Sequence, residues 1–202
     1  MIRTYLKTSL PITALFSVTV LLATIVGSHR TQPAAMNGFD DCRLPCWHSI
    51  TPEQTITETA SSLLAESGYE LQVNNVHWRY MVYTPFVTTA CNVALTYETR
   101  VLMTELNECT GLTLGDVTAI LGAPQSVVPS IPYDSFGFRD GMIEVVARRE
   151  GCAVGFSLYA EVTSIRLRAR RTGDMITDTS AYSVPWRGFV LMWRYDPLRL
   201  CP

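Results

Sequence analysis

The stretch that decides the fold is Gly111-Leu-Thr-Leu-Gly-Asp-Val-Thr-Ala-Ile-Leu-Gly-Ala-Pro124. Thr113 and Asp116 are spaced as in a capping box, in which two side chains satisfy backbone N–H groups at the start of a helix. The apolar positions that follow recur at helical spacing, at Leu114, Val117, Ile120 and Leu121. Gly122 can end the helix, and Pro124 prevents it from resuming. The stretch therefore predicts one short amphipathic helix.

The same pattern occurs 58 residues earlier, where Thr55-Ile-Thr-Glu58 has capping-box spacing. Ile56, Ala60, Leu63 and Leu64 form its apolar side, and Gly68 is a suitable stop. Strand-like segments also repeat, at an offset of 61. Cys91-Asn-Val-Ala-Leu-Thr-Tyr matches Cys152-Ala-Val-Gly-Phe-Ser-Leu, and Val101 and Leu106 match Val162 and Leu167.

Each unit therefore reads as a helix followed by an antiparallel meander, and the predicted fold class is α+β. Strands are expected near 70–84, 91–97 and 100–107, and again near 125–131, 142–148, 153–160 and 161–170. The helices should pack on one face of the sheet. The predicted organisation is a lead-in over 29–54, a first repeat over 55–108, a second over 109–171 and an extension over 172–202. In that extension, 186–193 is the predicted last strand.

The segment 111–124 resembles the Gly-Met-Thr-x-x-x-Val-x-x-x-Leu-Gly-x-Pro signature of the BamE/SmpA-type envelope lipoproteins. The β-lactamase-inhibitor proteins are similar in general fold and carry it as a tandem pair. The resemblance implies a tandem α+β fold but not a shared partner, because one fold carries many functions. The first unit has Leu64-Ala65-Glu66 where Gly-x-Pro would fall, and the lipoprotein cysteine is missing. Cys42-Arg-Leu-Pro-Cys-Trp-His48 resembles the start of a family of exported bacterial proteins.

The N-terminus has the pattern of an export segment. Arg3 and Lys7 precede a charge-free run from Ile12 to Gly27. Val26-Gly27-Ser28 is a candidate cleavage site, so residues 1–28 are either a signal peptide or an uncleaved membrane anchor. The predicted localisation is extracytoplasmic, secreted or anchored by this segment.

Six cysteines follow the leader: Cys42, Cys46, Cys91, Cys109, Cys152 and Cys201. An even number in an oxidising compartment predicts three disulfides. If each helix approach is tied to its own meander, the pairs are Cys46–Cys91, Cys109–Cys152 and Cys42–Cys201. The alternative is a metal site at Cys42, Cys46 and His48, but no second Cys/His pair lies nearby to complete it.

Composition and motifs favour binding over catalysis. The chain is 48% hydrophobic and 17% charged with net charge −2, which fits a globular protein and gives no basic bias toward nucleic acid. It has no Gly-x-Ser-x-Gly elbow, no His-Glu-x-x-His helix and no phosphate loop. His48 is expected to pack in a loop and His77 to point outward from a strand. No catalytic residue, metal or cofactor is predicted.

Two surface features are candidate binding residues. Strand periodicity places Arg166, Arg168 and Arg170 on one face, opposite a buried Ile165 and Leu167. This arginine line is either a solvated face or a site for an acidic partner, anionic lipid or cell-wall polymer. In both cases replacing the three arginines should leave thermal stability nearly unchanged. Trp78 and Tyr80, with Tyr83 and Phe86 after them, are either core residues under the helix or part of an aromatic binding surface.

The sequence thus predicts an exported, non-catalytic binding or scaffold protein of the cell envelope. Its partner would be another envelope or extracellular protein or an anionic polymer, and the membrane if the leader is retained. A secreted inhibitor-type protein and a hydrolytic enzyme are the alternatives.

Overall fold

A computed structural model describes residues 15–19, 21, 33–86, 90–130, 132–149, 156–169 and 183–188. The chain divides into two compact units, Met1–Gln32 and Pro33–Pro202. In the first unit, residues 15–19 are helical and exposed. A search of the described residues for a helix long and apolar enough to span a bilayer finds none.

Two short α-helices lie in the second unit, after a 3-10 turn at Ala34–Met36. Helix α1 spans Thr57–Glu66 and helix α2 spans Leu114–Leu121. The predicted capping box of α2 is confirmed: the Thr113 side chain accepts from the Asp116 N–H, and the Asp116 carboxylate accepts from the Thr113 N–H. The predicted box of α1 is wrong, because α1 begins one residue later, after Ile56. Thr55 instead accepts a hydrogen bond from the Thr51 N–H in the preceding turn.

Within the described residues, nine strands follow one another along the chain. They are β1 Tyr69–Asn75, β2 Tyr80–Pro85, β3 Asn92–Tyr97, β4 Val101–Asn107, β5 Ser126–Val128, β6 Tyr133–Phe138, β7 Ile143–Arg148, β8 Val162–Arg168 and β9 Val184–Pro185. They form one antiparallel sheet in the order β1-β2-β3-β4-β8-β7-β6-β5-β9. The predicted sheet-dominated α+β fold is therefore confirmed.

The hydrophobic core lies on one side of this sheet, which we call the core face. Register places Val93, Leu106, Ile165, Val145 and Phe136 in one row across five strands. All five are buried, and buried residues of both helices join the same cluster. The predicted burial of Ile165 and Leu167 is confirmed.

Several strand predictions need correction. The strand expected over 70–84 is a hairpin, since β1 and β2 are separated by a turn over 76–79. Strand β6 was not expected, and the described part of the segment 153–160 contains no strand. The offset of 61 relates β4 to β8 but not β3 to β7. The connection between β7 and β8 is longer than the tight turn between β3 and β4. This length difference changes the sequence offset between the equivalent strands β3 and β7.

The disulfide pairing expected from the repeat is wrong. Cys42 pairs with Cys46, and Cys91 pairs with Cys109. Cys91 directly precedes β3 and Cys109 follows β4, so the pairing of these neighbouring strands brings the two Cα atoms to 4.2 Å. Cys152 and Cys201 lie outside the described residues, and no described cysteine is unpaired. Two disulfides indicate an oxidising, extracytoplasmic environment.

Candidate functional site

The side of the sheet opposite the core, which we call the open face, gathers the predicted binding residues. Register places Tyr80, Thr96, Met103 and Arg168 in one row, because each is the cross-strand partner of the next. All four are partly exposed. Three strand spacings separate Tyr80 from Arg168, or roughly 14 Å. The aromatic and arginine features, which the sequence presented separately, therefore share one surface.

The neighbouring row of the open face carries an ion-pair ladder. Glu105 of β4 and Glu144 of β7 lie on either side of Arg166 of β8. The Arg166 Nε donates to Glu105 Oε1 at 2.6 Å, and its Nη1 lies 3.9 Å from Glu144 Oε2. Arg168 donates from Nη2 to Glu144 Oε2 at 3.1 Å and from Nε to the Gly141 carbonyl at 3.2 Å.

The ladder changes the interpretation of the arginine line. Burial disfavours the charged form of Arg166, but its hydrogen bond to Glu105 and the charges of Glu105 and Glu144 outweigh this and raise its pKa. Two arginines and two glutamates leave no net charge on these rows. Arg166 and Arg168 lie on the open face and are 40% and 32% exposed, but strands β4 and β7 supply facing carboxylates that pair with them. Arg170 lies outside the described residues.

Strand β2 carries a second surface feature, which we call the β2 stripe. It comprises side chains at a spacing of two: Trp78, Tyr80, Val82, Thr84 and Phe86. Cross-strand pairing assigns Tyr80, Val82 and Thr84 to the open face. Phe86 follows at the same spacing, and Trp78 lies in the turn over 76–79 that precedes β2. The expectation that Trp78 packs in the core is wrong, because Trp78 is 74% exposed and Phe86 is 71% exposed. Exposed apolar groups at this density are typical of interaction surfaces.

The hairpin tip that presents Trp78 is held by hydrogen bonds. The Trp78 N–H donates to Asn75 Oδ1 at 3.1 Å, closing the turn. The Tyr97 N–H, at the end of β3, donates to the Arg79 carbonyl at 3.0 Å. The Arg79 Nη1 lies 2.7 Å from Glu98 Oε1. A turn whose backbone is held before binding loses less conformational entropy when a partner covers it.

His48 lies near both a carboxylate and a hydroxyl. Its Nδ1 is 3.7 Å from Asp41 Oδ2 and 3.3 Å from Ser67 Oγ. A proton relay needs the base to contact its two partners through different ring nitrogens, whereas both groups here approach Nδ1. Desolvation lowers the pKa of His48 and so favours the neutral ring. The charge of Asp41 acts in the opposite direction but is the smaller effect. The ring packs edge-on against Trp47 and Tyr69, as expected for a loop-packing residue.

His77 lies in the exposed hairpin tip, with its ring edge-on to Trp78 at 5.4 Å between centroids. The sequence placed it on a strand, whereas the chain turns at this position. Within the described ranges, no group of three or more His, Cys, Asp or Glu side chains could hold a metal. Cys42 and Cys46, which the metal alternative requires, are joined to each other.

Sequence reasoning missed three residues of this surface. Val82 follows Tyr80 at a spacing of two, so the alternation itself was a usable signal once the hairpin turn was placed. Glu105 and Glu144 could be assigned only from the neighbours of β8, because cross-strand partners are not adjacent in sequence.

No protein-family model matches the chain, and no curated protein or solved structure shows significant similarity to it. The site must therefore be interpreted from its own geometry.

Proposed function

We propose that this chain is an exported, non-catalytic binding protein that recognises a protein partner through the open face of its sheet. The observation that carries the proposal is the β2 stripe, with Trp78 and Phe86 exposed at its ends. Aromatic side chains that are exposed and held in place are typical centres of protein interfaces. The neutral ion-pair ladder beside the stripe offers hydrogen-bonding groups, but it gives an anionic polymer no net positive charge.

The hydrolase alternative would need to use His48, since Asp41 and Ser67 lie beside it. Both groups address Nδ1, so Ser67 cannot be activated by the ring while Asp41 orients the ring from its other side. Binding therefore remains the better account of the described residues.

We also propose that the second unit is a tandem repeat related by a pseudo-two-fold axis. One helix precedes each set of four strands, and the last strands of the two sets, β4 and β8, pair at the centre. The offset of 61 makes Arg166 the counterpart of Glu105, and these two residues face each other in the sheet. Each helix start also bridges to the residue before its last strand, Ile56 to Arg100 and Thr113 to Glu161. Such a tandem repeat is what the resemblance of residues 111–124 to the BamE/SmpA-type lipoproteins implies.

Photocrosslinking tests the binding proposal. Benzoylphenylalanine placed at Trp78 or Phe86 should capture a protein partner in the native envelope. The matched control is Tyr159, which is equally exposed but lies outside the stripe. Capture at Tyr159 with the same products, or no capture at either stripe position, would contradict the proposed site.

A further inference from the structure

We infer that the partner of the β2 stripe is a protein segment that combines apolar side chains with arginine or lysine. This inference rests on the proposed function and adds the chemistry of the partner. The charge around the stripe is negative, opposite in sign to the charge that the arginine line suggested.

Charge is unevenly distributed along the chain. Residues 33–108, which contain the stripe, hold nine carboxylates, three arginines and no lysine, for a formal net charge of −6. Residues 109–202 hold nine carboxylates and ten arginines. A surface on the first part therefore lies in a negative field, which attracts cationic partners and speeds their association.

Carboxylates also lie beside the stripe itself. Glu70 is the cross-strand neighbour of Thr84, so it shares the open face with the stripe. Glu66 ends α1, two residues before Gly68, whose carbonyl accepts from the Phe86 N–H at 2.9 Å. Both glutamates are exposed, and neither forms an ion pair with a described residue. Arg79, the arginine at the tip of the same hairpin, is paired with Glu98.

The same charges disfavour two other occupants. A second copy of this chain would bring another acidic surface against the stripe, and an anionic lipid surface would also be repelled. From Tyr80 to Phe86 the stripe extends over six residue steps, or about 20 Å, which matches an extended segment of similar length. An alternating pattern would direct apolar side chains to the stripe and place cationic ones near its carboxylate margin.

Three fluorescent nine-residue peptides test the inference by fluorescence anisotropy against the full-length chain. They alternate leucine with arginine, with glutamine or with glutamate. The arginine peptide should bind at least ten-fold more tightly than the glutamate peptide at low salt. The difference should shrink at high salt, because exposed charges are screened. Equal binding of the arginine and glutamate peptides would overturn the inference and leave the proposed function standing.

Variants separate stripe binding from general attraction to an acidic protein. Glu66→Gln with Glu70→Gln should weaken the arginine peptide about three- to ten-fold and leave the glutamine peptide unchanged. Glu161→Gln, a matched exposed glutamate in the second repeat, should change neither. Phe86→Ser should weaken both peptides. If Phe86→Ser changes the affinity of no peptide and leaves crosslinking to an envelope partner intact, the proposed function itself fails.

Two further measurements address the other occupants. Sedimentation of the chain alone should show no dimer that is lost in the Phe86→Ser variant. Vesicles containing anionic lipid should not compete with the arginine peptide for the chain. A stripe-dependent dimer, or competition by anionic vesicles, would overturn the assignment of a cationic protein segment.

Discussion

At the scale of single residues, ion pairs in this protein differ in how far water reaches them. Arg149 and Asp134 form a bidentate pair whose side chains are 5% and 4% exposed. The Arg149 Nε donates to Asp134 Oδ2 at 3.0 Å, and the Ser130 N–H donates to Oδ1 at 3.1 Å. Arg79 and Glu98, by contrast, are both more than half exposed.

Truncating the two acids should therefore have unequal effects. Asp134→Ala is expected to lower the free energy of unfolding by about 3 to 5 kcal/mol, because it leaves a buried arginine without its carboxylate. Glu98→Ala should cost less than about 1 kcal/mol, since water screens that pair. Urea unfolding of both variants with disulfides intact measures the difference. Equal losses would mean that the Arg149 pair is far more hydrated than its burial indicates.

The ion-pair ladder of the open face predicts a loss of stability when its arginines are replaced, whereas the sequence alone predicted no loss. Replacing Arg166 and Arg168 with glutamine leaves Glu105 and Glu144 without their cations. Both glutamates are less than one-fifth exposed. The double variant should lose about 1 to 3 kcal/mol of unfolding free energy. Arg148→Gln, at an exposed position of β7, is the control and should be neutral. An unchanged unfolding midpoint for the double variant would restore the interpretation of a solvated arginine line.

At the scale of elements, the two helices differ at the N-cap, the residue that precedes the first helical residue. Helix α2 begins with a capping box in which both reciprocal hydrogen bonds are formed. Helix α1 begins after Ile56, whose side chain has no group to accept from the helix N–H donors. The start of α1 is instead positioned by a bridge between Ile56 and Arg100.

Removing the cap of α2 should therefore be measurable. Thr113→Ala is expected to lower stability by about 1 kcal/mol, the usual contribution of an N-cap side chain. Thr59→Ala, at an exposed interior position of α1, should cost little and can slightly stabilise, because alanine favours helix. Thermal and urea unfolding of the two variants give the comparison. A loss at Thr59 equal to that at Thr113 would remove the cap as the cause.

The two disulfides should differ in their access to reductant. Cys91 and Cys109 are both buried at the ends of β3 and β4, whereas Cys42 is partly exposed. A thiol reductant under native conditions should therefore cleave Cys42–Cys46 first, since exchange requires access to a sulfur. Stepwise reduction, alkylation and mass mapping report the order. Earlier alkylation of Cys91 or Cys109 would show that the strand ends open before the lead-in loop reacts.

At the scale of the whole molecule, export is the main prediction. An enzyme reporter that is active only outside the cytoplasm should be active when fused after Arg30. The same fusion lacking Ile12–Gly27 should be inactive, because the apolar run that directs export is gone. Reporter activity in the fusion that lacks Ile12–Gly27 would contradict export. So would the activity, in the full fusion, of a second reporter that works only in the cytoplasm.

Cleavage of the leader can be measured on the same exported chain. Lys7 is the only lysine in the sequence. A chain cleaved after Ser28 would therefore carry one primary amine, its new α-amino group, and a retained leader would carry two. Intact mass after exhaustive amine labelling separates a secreted protein from an anchored one.

The sequence predicted most of the elements that have strong local signals. The start of α2, the bounds of β3 and β4, and the burial of Ile165 and Leu167 all followed from caps and periodicity. The β1–β2 hairpin was harder, because its turn, Val76-His77-Trp78-Arg79, contains no glycine or proline to mark it. Strand β6 was missed for a different reason, since its first core-facing residue is the charged Asp134, which interrupts the apolar alternation of Phe136 and Phe138.

The candidate site was predictable only in part. Tyr80 and Arg168 were named from the sequence, and the sheet places them on one face. Their charge environment was not predictable, because Glu105 and Glu144 lie 61 and 22 residues from Arg166 in sequence. Pairing of β4, β8 and β7 alone makes them neighbours. The same holds for Cys91 and Cys109, whose pairing follows from adjacent strands and not from the repeat.

The sequence by itself determined the local features of this protein: the α2 cap, the alternation of β8 and the charge-free leader. Each depends on residues a few positions apart, whose geometry is set by one helix or one strand. The tertiary structure alone decided which strands are neighbours, and hence which charges are paired and which aromatic residues are exposed. Those outcomes depend on contacts between distant segments, which form only when burial of the shared core fixes the register of the whole sheet.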